Sequence, residues 1–261
     1  MPFAVINDHR IFYEDTAGMG PAVVFSHGFV LDRTMWTQQV EALSDQFRCV
    51  VWDERGHGMT ECKGPFTFWD SAQDCLGLLD HLGIESAVLV GMSQGGFLGM
   101  RAALAAPDRV AGLIVIDSAA QMFSEDEWVQ YQQMAEAWTT EGPVGAVAEA
   151  MRGIQFGPGF DWLPWLGKWQ SKPPTAWSHT WQAQLTRDDI TARLPEITCA
   201  VGFVHGTEDP AFPLAFAYEL SDAVTNSLGV TAIDGGAHGS VLTHPRQTTD
   251  AIRRFLEKMP N

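Results

Sequence analysis

Short, continuously apolar segments alternate with segments of helical periodicity along most of this chain, and this alternation limits its fold more than any other feature. Runs such as Ala22–Ser26 and Val110–Ile116 are apolar at almost every position, so they predict strands that are buried on both faces. Between them, residues 67–82 form an amphipathic stretch in which Leu76 and Leu79 lie on one helical face. The pattern predicts an α/β fold with a mostly parallel central sheet that is flanked by helices.

The same alternation extends to the end of the chain, apart from one interruption. Each predicted strand is short and contains β-branched residues, whereas each predicted helix repeats its apolar positions every three or four residues. The remaining predicted strands are residues 48–53, 87–90, 200–204 and 230–233, and the remaining predicted helices are residues 34–46, 95–105, 214–223 and 247–258.

Residues 121–195 interrupt the alternation, because no strong strand candidate occurs among them. A loop of this length without secondary structure is uncommon in a compact domain. We therefore predict a helical cap subdomain over residues 121–195, inserted into an α/β core that consists of residues 1–120 and 196–261. The cap holds seven of the ten tryptophans, namely Trp128, Trp138, Trp162, Trp165, Trp169, Trp177 and Trp181.

The charge balance excludes a large class of partners. The chain carries 32 acidic and 16 basic residues, which gives a net charge of −16 at pH 7. A protein that binds phosphate backbones needs the opposite field, so we expect no nucleic-acid partner. No run of about 18 apolar residues occurs that would cross a membrane. Residues 1–10 also lack the basic start and apolar stretch of a secretory signal, so we expect no membrane partner.

Cysteine spacing and missing nucleotide motifs bear on compartment and cofactors. No two cysteines form a C-x-x-C pair, so we predict reduced cysteines in a cytoplasmic protein, with neither a disulfide framework nor a zinc site. Neither G-x-G-x-x-G nor G-K-[ST] occurs, which argues against dinucleotide or nucleoside triphosphate chemistry. We therefore predict no metal and no cofactor. The cysteines are Cys49, Cys62, Cys75 and Cys199.

The sequence Gly-Met-Ser-Gln-Gly at residues 91–95 fits the pattern G-x-S-x-G. It lies where a predicted strand passes into a predicted helix, which is the position that a nucleophile elbow requires. Glycines two residues before and after Ser93 let strand and helix approach closely, and the helix N-terminus favours negative charge there. We therefore predict Ser93 as a nucleophile; the alternative is an ordinary N-cap serine in a glycine-rich turn.

A serine hydroxyl needs a base, and the base needs an orienting acid. His238 is the leading candidate for the base, because it lies in a glycine-rich loop directly after the last predicted strand. The alternative interpretation of His238 is a solvated loop histidine. His244 and His205 are weaker candidates for the same role.

Three carboxylates compete for the role of the acid. Asp209 follows a predicted strand in a tight turn that contains Pro210, at the sheet edge where parallel strands gather their ligands. Asp117 ends an earlier predicted strand and is also within reach of a loop histidine. We favour Asp209 and keep Asp117 and, as a lesser option, Glu208 as alternatives.

The negative charge that develops on a substrate oxygen needs preorganised hydrogen-bond donors. The backbone N–H of Gln94 directly follows the candidate nucleophile and supplies one donor. The second donor is expected from the loop after Ala22–Ser26, and we choose the N–H of Phe29. A plain turn is the alternative interpretation of this loop.

These motifs follow one another as they do in the α/β-hydrolase superfamily, and the sequence resembles its single-domain bacterial esterases, lactonases and peroxidase-like members. The resemblance covers essentially the whole chain outside the predicted cap. It implies the α/β-hydrolase fold, with Ser93 as nucleophile, His238 as base, Asp209 as acid, and Phe29 and Gln94 as the oxyanion hole. The motifs are Ser-His-Gly-Phe at 26–29, Asp-Glu-Arg-Gly-His-Gly at 53–58, Gly-Met-Ser-Gln-Gly-Gly at 91–96, Gly206 with Asp209, and Gly-Ala-His at 236–238.

Two residues refine what the resemblance implies. Haloalkane dehalogenases and epoxide hydrolases carry aspartate where this chain has Ser93, so serine favours acyl transfer over their chemistry. His57 lies in an Arg-Gly-His-Gly segment that is usually a structural turn in such proteins, and we leave it out of the catalytic set.

We therefore predict a serine hydrolase that cleaves a carboxylic ester or lactone through an acyl-enzyme intermediate. The predicted substrate is a small hydrophobic or aromatic molecule, because the cap is rich in aromatic residues and poor in bases. An inward-facing cap base would instead favour a dicarboxylate-like substrate. The cap bases are Arg152, Lys168, Lys172, Arg187 and Arg193.

Two other functions remain open at this stage. One is C–C bond hydrolysis or cofactor-free perhydrolysis, as in haloperoxidase-like enzymes, on the same fold. The other is a binding protein without catalysis, against which the complete set of Ser93, His238 and Asp209 argues. The expected partner is a small ester or lactone, and the sequence leaves a homodimer open.

Overall fold

Eight strands form one sheet in the computed structural model, which describes residues 3–259. In chain order the strands are β1 (Phe3–Ile6), β2 (His9–Asp15), β3 (Ala22–Ser26), β4 (Arg48–Trp52), β5 (Ala87–Met92), β6 (Val110–Ile116), β7 (Ala200–Gly206) and β8 (Ser227–Ile233). Across the sheet their order is β1-β2-β4-β3-β5-β6-β7-β8. Only the β1–β2 and β2–β4 pairings are antiparallel within this sheet. The predicted mostly parallel sheet is therefore confirmed.

Ten α-helices lie within residues 3–259. They are α1 (Thr37–Leu43), α2 (Phe68–His81), α3 (Gln94–Ala105), α4 (Glu125–Thr140), α5 (Gly145–Phe156), α6 (Leu163–Gln170), α7 (Ser178–Leu185), α8 (Leu214–Ala223), α9 (Ser240–Thr243) and α10 (Pro245–Leu256). Short 3₁₀ turns occupy Arg33–Trp36, Pro107–Arg109, Pro174–Trp177 and Thr191–Glu196.

Each central strand sends alternate side chains to two hydrophobic layers, one on each face of the sheet. In β3, Val24 points into the layer that α2, α3 and α8 cover, whereas Val23 and Phe25 point into the opposite layer with α1 and α10. Burial on both faces explains why these strands read as continuous apolar runs. The expected flanking of the sheet by helices is therefore present.

The first two strands were not predicted from the sequence, and their environment explains why. β1 and β2 pair antiparallel at one edge of the sheet, and both alternate buried with partly exposed residues. In β2 the polar residues Arg10 and Glu14 face solvent. A search for continuous apolar runs misses such strands, because only one of their faces packs on the core. Elsewhere the predicted bounds differ by at most a few residues, and the predicted helix 34–46 divides into a 3₁₀ turn and α1.

Between β6 and β7 the chain leaves the sheet for residues 121–195, which we call the inserted segment. Its helices α4 to α7 pack mainly through indole rings; the ring of Trp138 lies 5.3 to 5.9 Å from those of Trp169, Trp177 and Trp181. The division into core and cap stays a prediction, and residues 1–2 and 260–261 of the predicted core lie outside the described residues. No helix within residues 3–259 is both long and apolar enough to cross a membrane.

Candidate active site

Ser93 lies in a sharp turn between β5 and α3. Its backbone has φ 53° and ψ −113°, a region that residues with a side chain rarely adopt. A Cβ atom on Gly91 would collide with the Gly95 carbonyl, and one on Gly95 would collide with the Ser26 carbonyl, so both positions need glycine. The Ser93 N–H donates to the Ile116 carbonyl at 2.8 Å. The surrounding structure thus holds Ser93 in a strained conformation, as is common at functional sites.

His238 connects Ser93 with Asp209 through two hydrogen bonds. Its Nδ1 lies 2.8 Å from Asp209 Oδ2, and its Nε2 lies 2.9 Å from Ser93 Oγ. A carboxylate only accepts hydrogen bonds, so Nδ1 carries the hydrogen and Nε2 of the neutral ring accepts from the serine hydroxyl. All three side chains are buried. The structure therefore brings together the three residues that the sequence predicts as nucleophile, base and acid.

The carboxylate of Asp209 is held in the turn that follows β7. Its Oδ1 accepts from the N–H groups of Ala211 at 2.7 Å and Phe212 at 3.0 Å, which leaves Oδ2 for His238. Burial alone would raise the pKa of Asp209, but the neighbouring His238 and a hydrogen bond from His205 hold this pKa below its ordinary value. Asp209 is therefore ionised at neutral pH.

The two rival carboxylates lie elsewhere. Asp117 Oδ1 accepts from the Gly206 N–H at 2.7 Å, and its Oδ2 accepts from the Ser240 hydroxyl at 2.5 Å. Asp117 thus joins the end of β7 to α9 and makes no hydrogen bond with His238, and burial raises its pKa to about 6. Glu208 is exposed.

The two weaker histidine candidates do not contact Ser93. His205 Nε2 donates to the Phe212 carbonyl at 2.8 Å and lies 3.4 Å from Asp209 Oδ2. His205 is therefore a neighbour of the candidate acid and not of the candidate nucleophile. Burial would lower the pKa of His205, but the hydrogen bond with Asp209 and the charge of Asp117 raise it. His244 Nδ1 contacts only the hydroxyl of Thr243, at 2.9 Å, among the described side chains.

Within residues 3–259, one set of side chains is close enough to share a metal ion. It consists of Asp117, His205 and Asp209, whose ligand atoms lie within 4.8 Å of one another. Each of these residues already has protein hydrogen bonds, to backbone N–H groups for the carboxylates and to the Phe212 carbonyl for His205. The cluster is therefore satisfied by the protein itself.

The loop that carries Phe29 is fixed from several sides. Val30 has a positive φ of 56°, its N–H donates to His57 Nε2 at 3.3 Å, and its carbonyl accepts from the indole N–H of Trp169 at 2.7 Å. The Phe29 carbonyl accepts from Gln155 Nε2 at 3.3 Å. Within residues 3–259 no backbone carbonyl accepts from the N–H of Phe29 or Gln94. His57, which the sequence analysis left out of the catalytic set, thus contributes by holding this loop.

A narrow cleft leads to Ser93, and the inserted segment forms more of its wall than the sheet does. The cavity beside Ser93 has a volume of about 20 Å³, which is close to the minimum for one water molecule. Five lining residues come from the sheet side: Phe29, Ser93, Ala211, Phe212 and His238. Seven come from the inserted segment: Phe123, Tyr131, Met151, Ile154, Gln155, Gln184 and Arg187.

Glu54 is a buried acid near the site that the sequence analysis did not single out. It is 1% exposed, and neither oxygen of its carboxyl group has a hydrogen-bond partner within residues 3–259. Burial raises the pKa of Glu54 well above its ordinary value. The nearby Gln94 side chain accepts in turn from Gln184 Nε2 at 2.9 Å. No sequence signal distinguished Glu54 from other polar residues of its turn.

The chain is similar to known proteins over nearly its whole length. A family model described as alpha/beta hydrolase fold matches residues 21–245. The 3-oxoadipate enol-lactonase 1 of Acinetobacter baylyi is 30% identical over 196 residues, which cover 73% of this chain and 72% of the relative.

Two solved structures are also similar. A malate-bound thermophilic esterase from Thermogutta terrifontis superposes with a TM-score of 0.87 at 31% identity, covering 98% of this chain and 97% of the other. The enol-lactonase from Burkholderia xenovorans LB400 superposes with a TM-score of 0.88 at 28% identity, covering 98% and 100%. The fold that the sequence resemblance implied is thereby confirmed.

Proposed function

Because the chain belongs to the α/β-hydrolase fold family, we propose that it is a serine-dependent hydrolase of small carboxylic esters or lactones. The observation that carries the proposal is the continuous hydrogen-bond chain from Asp209 through His238 to Ser93 at 2.8 and 2.9 Å. Such a chain makes a hydroxyl nucleophilic at neutral pH, because a base is in place to accept its proton. The esterase and enol-lactonase activities that similar proteins carry in their names support the same class of substrate.

Acylation begins when Ser93 Oγ attacks the carbonyl carbon of the substrate and His238 Nε2 takes the hydroxyl proton. The carbonyl π electrons move onto its oxygen, and a tetrahedral intermediate forms. Asp209 stays ionised, keeps Nδ1 as the donor and stabilises the imidazolium. Collapse of the intermediate restores the carbonyl and breaks the bond to the leaving oxygen, which receives the proton from Nε2.

Deacylation repeats the same steps with water as the nucleophile. His238 takes one proton from the water as its oxygen attacks the acyl carbon, and then returns that proton to Ser93 Oγ. The products are a carboxylic acid and the free enzyme. In a lactone the leaving oxygen stays attached to the acyl group, so the product is a single hydroxy acid or its keto form.

The N–H groups of Phe29 and Gln94 are the proposed donors to the oxyanion. Neither donates to a backbone carbonyl within residues 3–259, and Phe29 lines the same cleft as Ser93. The Gln94 N–H lies in the first turn of α3, where the helix dipole also favours negative charge. Donors fixed before the reaction stabilise the developing charge without reorganisation.

An active-site titration combined with a substrate series tests the proposal. A fluorophosphonate should label the protein once per chain, and peptide mapping should find the label on Ser93. The labelled protein should lose hydrolysis of p-nitrophenyl acetate, butyrate and octanoate and of a small lactone. Heat-denatured protein is the control for unspecific labelling.

Two outcomes would redirect the proposal. Labelling at Ser93 without turnover of any ester or lactone would favour C–C bond hydrolysis or perhydrolysis, which the same three residues can support. Absence of labelling together with absence of turnover would contradict serine catalysis altogether.

A further inference from the structure

Arg187 of the inserted segment lies inside the catalytic cleft. Its side chain is 4% exposed and lines the same cleft as Ser93 and His238. The guanidinium carbon lies 4.2 Å from the ring centre of Phe97 and 4.5 Å from that of Phe123, so aromatic faces hold it on two sides. A cation is therefore held in an otherwise largely apolar cleft.

The hydrogen bonds of this guanidinium are incomplete. Its Nε and Nη2 donate to the Gln121 carbonyl at 3.1 and 2.9 Å. Its Nη1 is buried and has no hydrogen-bond partner within residues 3–259. A guanidinium has five N–H donors in a planar fork, and here at least the two on Nη1 are unused.

No carboxylate in the described part of the chain pairs with Arg187. Asp188 and Asp189 directly follow Arg187 in the sequence, and the charges of Asp189 and Glu127 act on its guanidinium. Each of these three acids has another partner. Asp188 pairs with Arg101 at 2.6 Å, Asp189 accepts from the Thr191 N–H at 2.7 Å, and Glu127 forms the cap of α4.

The charge of Arg187 persists at neutral pH. Burial and the neighbouring Arg101 lower its pKa to about 10, which still leaves the guanidinium protonated. An uncompensated buried charge is strongly unfavourable and is retained in few places of a protein. This arginine has no carboxylate partner within residues 3–259 although the chain has 32 acidic residues, and its side chain lines the cleft that substrate must enter.

We propose that Arg187 binds a carboxylate of the substrate, so that preferred substrates are small esters or lactones with a second, free carboxylate group. The inference rests on the proposed function and narrows its substrate class. A carboxylate fits because guanidinium groups bind its two oxygens side by side. The cleft has space for about one water molecule in this structure, so it must widen for a short carbon chain to lie between Ser93 and Arg187 among the aromatic and aliphatic lining residues. The sequence-based expectation of a small hydrophobic or aromatic substrate thus becomes an expectation of an anionic one.

Matched substrates test the proposal with the wild-type protein. Monomethyl glutarate and dimethyl glutarate have the same chain length, and only the first carries a carboxylate. We expect kcat/KM to be at least tenfold higher for the monoester, with hydrolysis followed by titration of the released acid. Equal values, or a preference for the diester, would overturn the proposal.

Variants of Arg187 assign the preference to this residue. Arg187→Met should lower the monoester-to-diester ratio of kcat/KM by roughly 10- to 100-fold, the usual size of a hydrogen bond to a charged group. Arg187→Lys keeps the charge and should retain part of the ratio, and it serves as the second variant if the methionine variant does not fold. Arg193→Met is the control, because Arg193 is a partly exposed arginine of the same segment that pairs with Glu196.

A binding measurement separates this inference from the proposed function. Calorimetry of Ser93→Ala with monomethyl glutarate needs no turnover. Binding that Arg187→Met abolishes in this background supports the carboxylate site even if no ester is hydrolysed. Ester turnover through Ser93 with no carboxylate preference and no such binding would refute the inference and leave the proposed function intact.

Discussion

The two walls of the cleft differ in how their polar atoms are held. On the sheet side, Ser93, His238 and Asp209 all have hydrogen-bond partners. On the side of the inserted segment, two of the lining residues carry a buried polar atom that has no partner within residues 3–259. These atoms are Gln155 Oε1 and Arg187 Nη1.

This difference assigns different tasks to the two walls. Hydrogen bonds are directional, so a paired set of side chains is held in one arrangement, as chemistry requires. Ring packing is only weakly directional and tolerates many arrangements of similar shape. Under the proposed function, the sheet side would therefore perform the reaction, whereas the inserted segment would determine which molecule fits.

The largest effect is expected for Ser93→Ala. Turnover of an activated ester should fall by about 10⁵-fold or more, because the lost hydroxyl acts only in the reaction. Circular dichroism and the urea midpoint should stay close to those of the parent, since the backbone strain at this turn is unchanged by a methyl side chain. Residual activity within tenfold of the parent would show that Ser93 and the sheet side of the cleft do not perform the chemistry.

The next largest effect separates the two buried aspartates. Asp209→Asn should lower kcat by on the order of 10⁴-fold, because His238 then loses the acceptor that fixes its tautomer. Asp117→Asn should cost less than about tenfold, since Asp117 contacts Gly206 and Ser240 instead. If the two variants exchange these effects, Asp117 is the orienting acid.

Glu54 lies on the sheet side, and both oxygens of its buried carboxyl group lack a hydrogen-bond partner within residues 3–259. Its pKa is raised in the folded protein and ordinary in the unfolded chain, so the folded state binds the proton more tightly. This contribution to stability is present at low pH and is lost as pH rises through the folded-state pKa.

Glu54→Gln keeps the shape of the side chain but cannot ionise. The variant should therefore not lose stability at this position as the pH rises. The unfolding free energy of the parent relative to the variant should fall by up to about 1.4 kcal/mol per pH unit above the ordinary glutamate pKa. Urea unfolding at pH 5, 6 and 7 measures the difference, with the exposed Glu61→Gln as the control. Parallel pH curves for parent and Glu54→Gln would mean that Glu54 is ionised in the fold.

The smallest effect concerns two neighbouring tryptophans of the inserted segment. Trp138 and Trp169 are both fully buried, and their rings lie 5.3 Å apart. Only Trp169 uses its indole N–H, which donates to the Val30 carbonyl at 2.7 Å. Replacement of either residue by Phe removes similar volume, so Trp169→Phe should be more destabilising by about 1 kcal/mol, the net contribution of one hydrogen bond. Equal urea midpoints for the two variants would mean that packing alone holds both rings.

Much of the fold could be predicted because its strands are buried on both faces. Such strands read as apolar runs, and six of the eight were located within a few residues. β1 and β2 were missed because their polar faces break that pattern. The residues proposed as nucleophile, base and acid were also nominated from the sequence, since each follows a predicted strand at the edge where parallel strands converge.

The sequence by itself determined the periodicity of apolar residues in each strand and helix, the glycine-flanked turn at Ser93 and a short list of candidate catalytic acids and bases. These are local properties, because a few neighbouring residues fix them. Only the tertiary structure decided that Asp209 pairs with His238 while Asp117 ties β7 to α9. It also decided that, within residues 3–259, Arg187 is the one cap base that lines the cleft beside Ser93 and that its Nη1 has no hydrogen-bond partner. Those choices depend on contacts between residues that are far apart along the chain, such as Arg187 beside Phe97, and no local pattern encodes the direction of such a side chain.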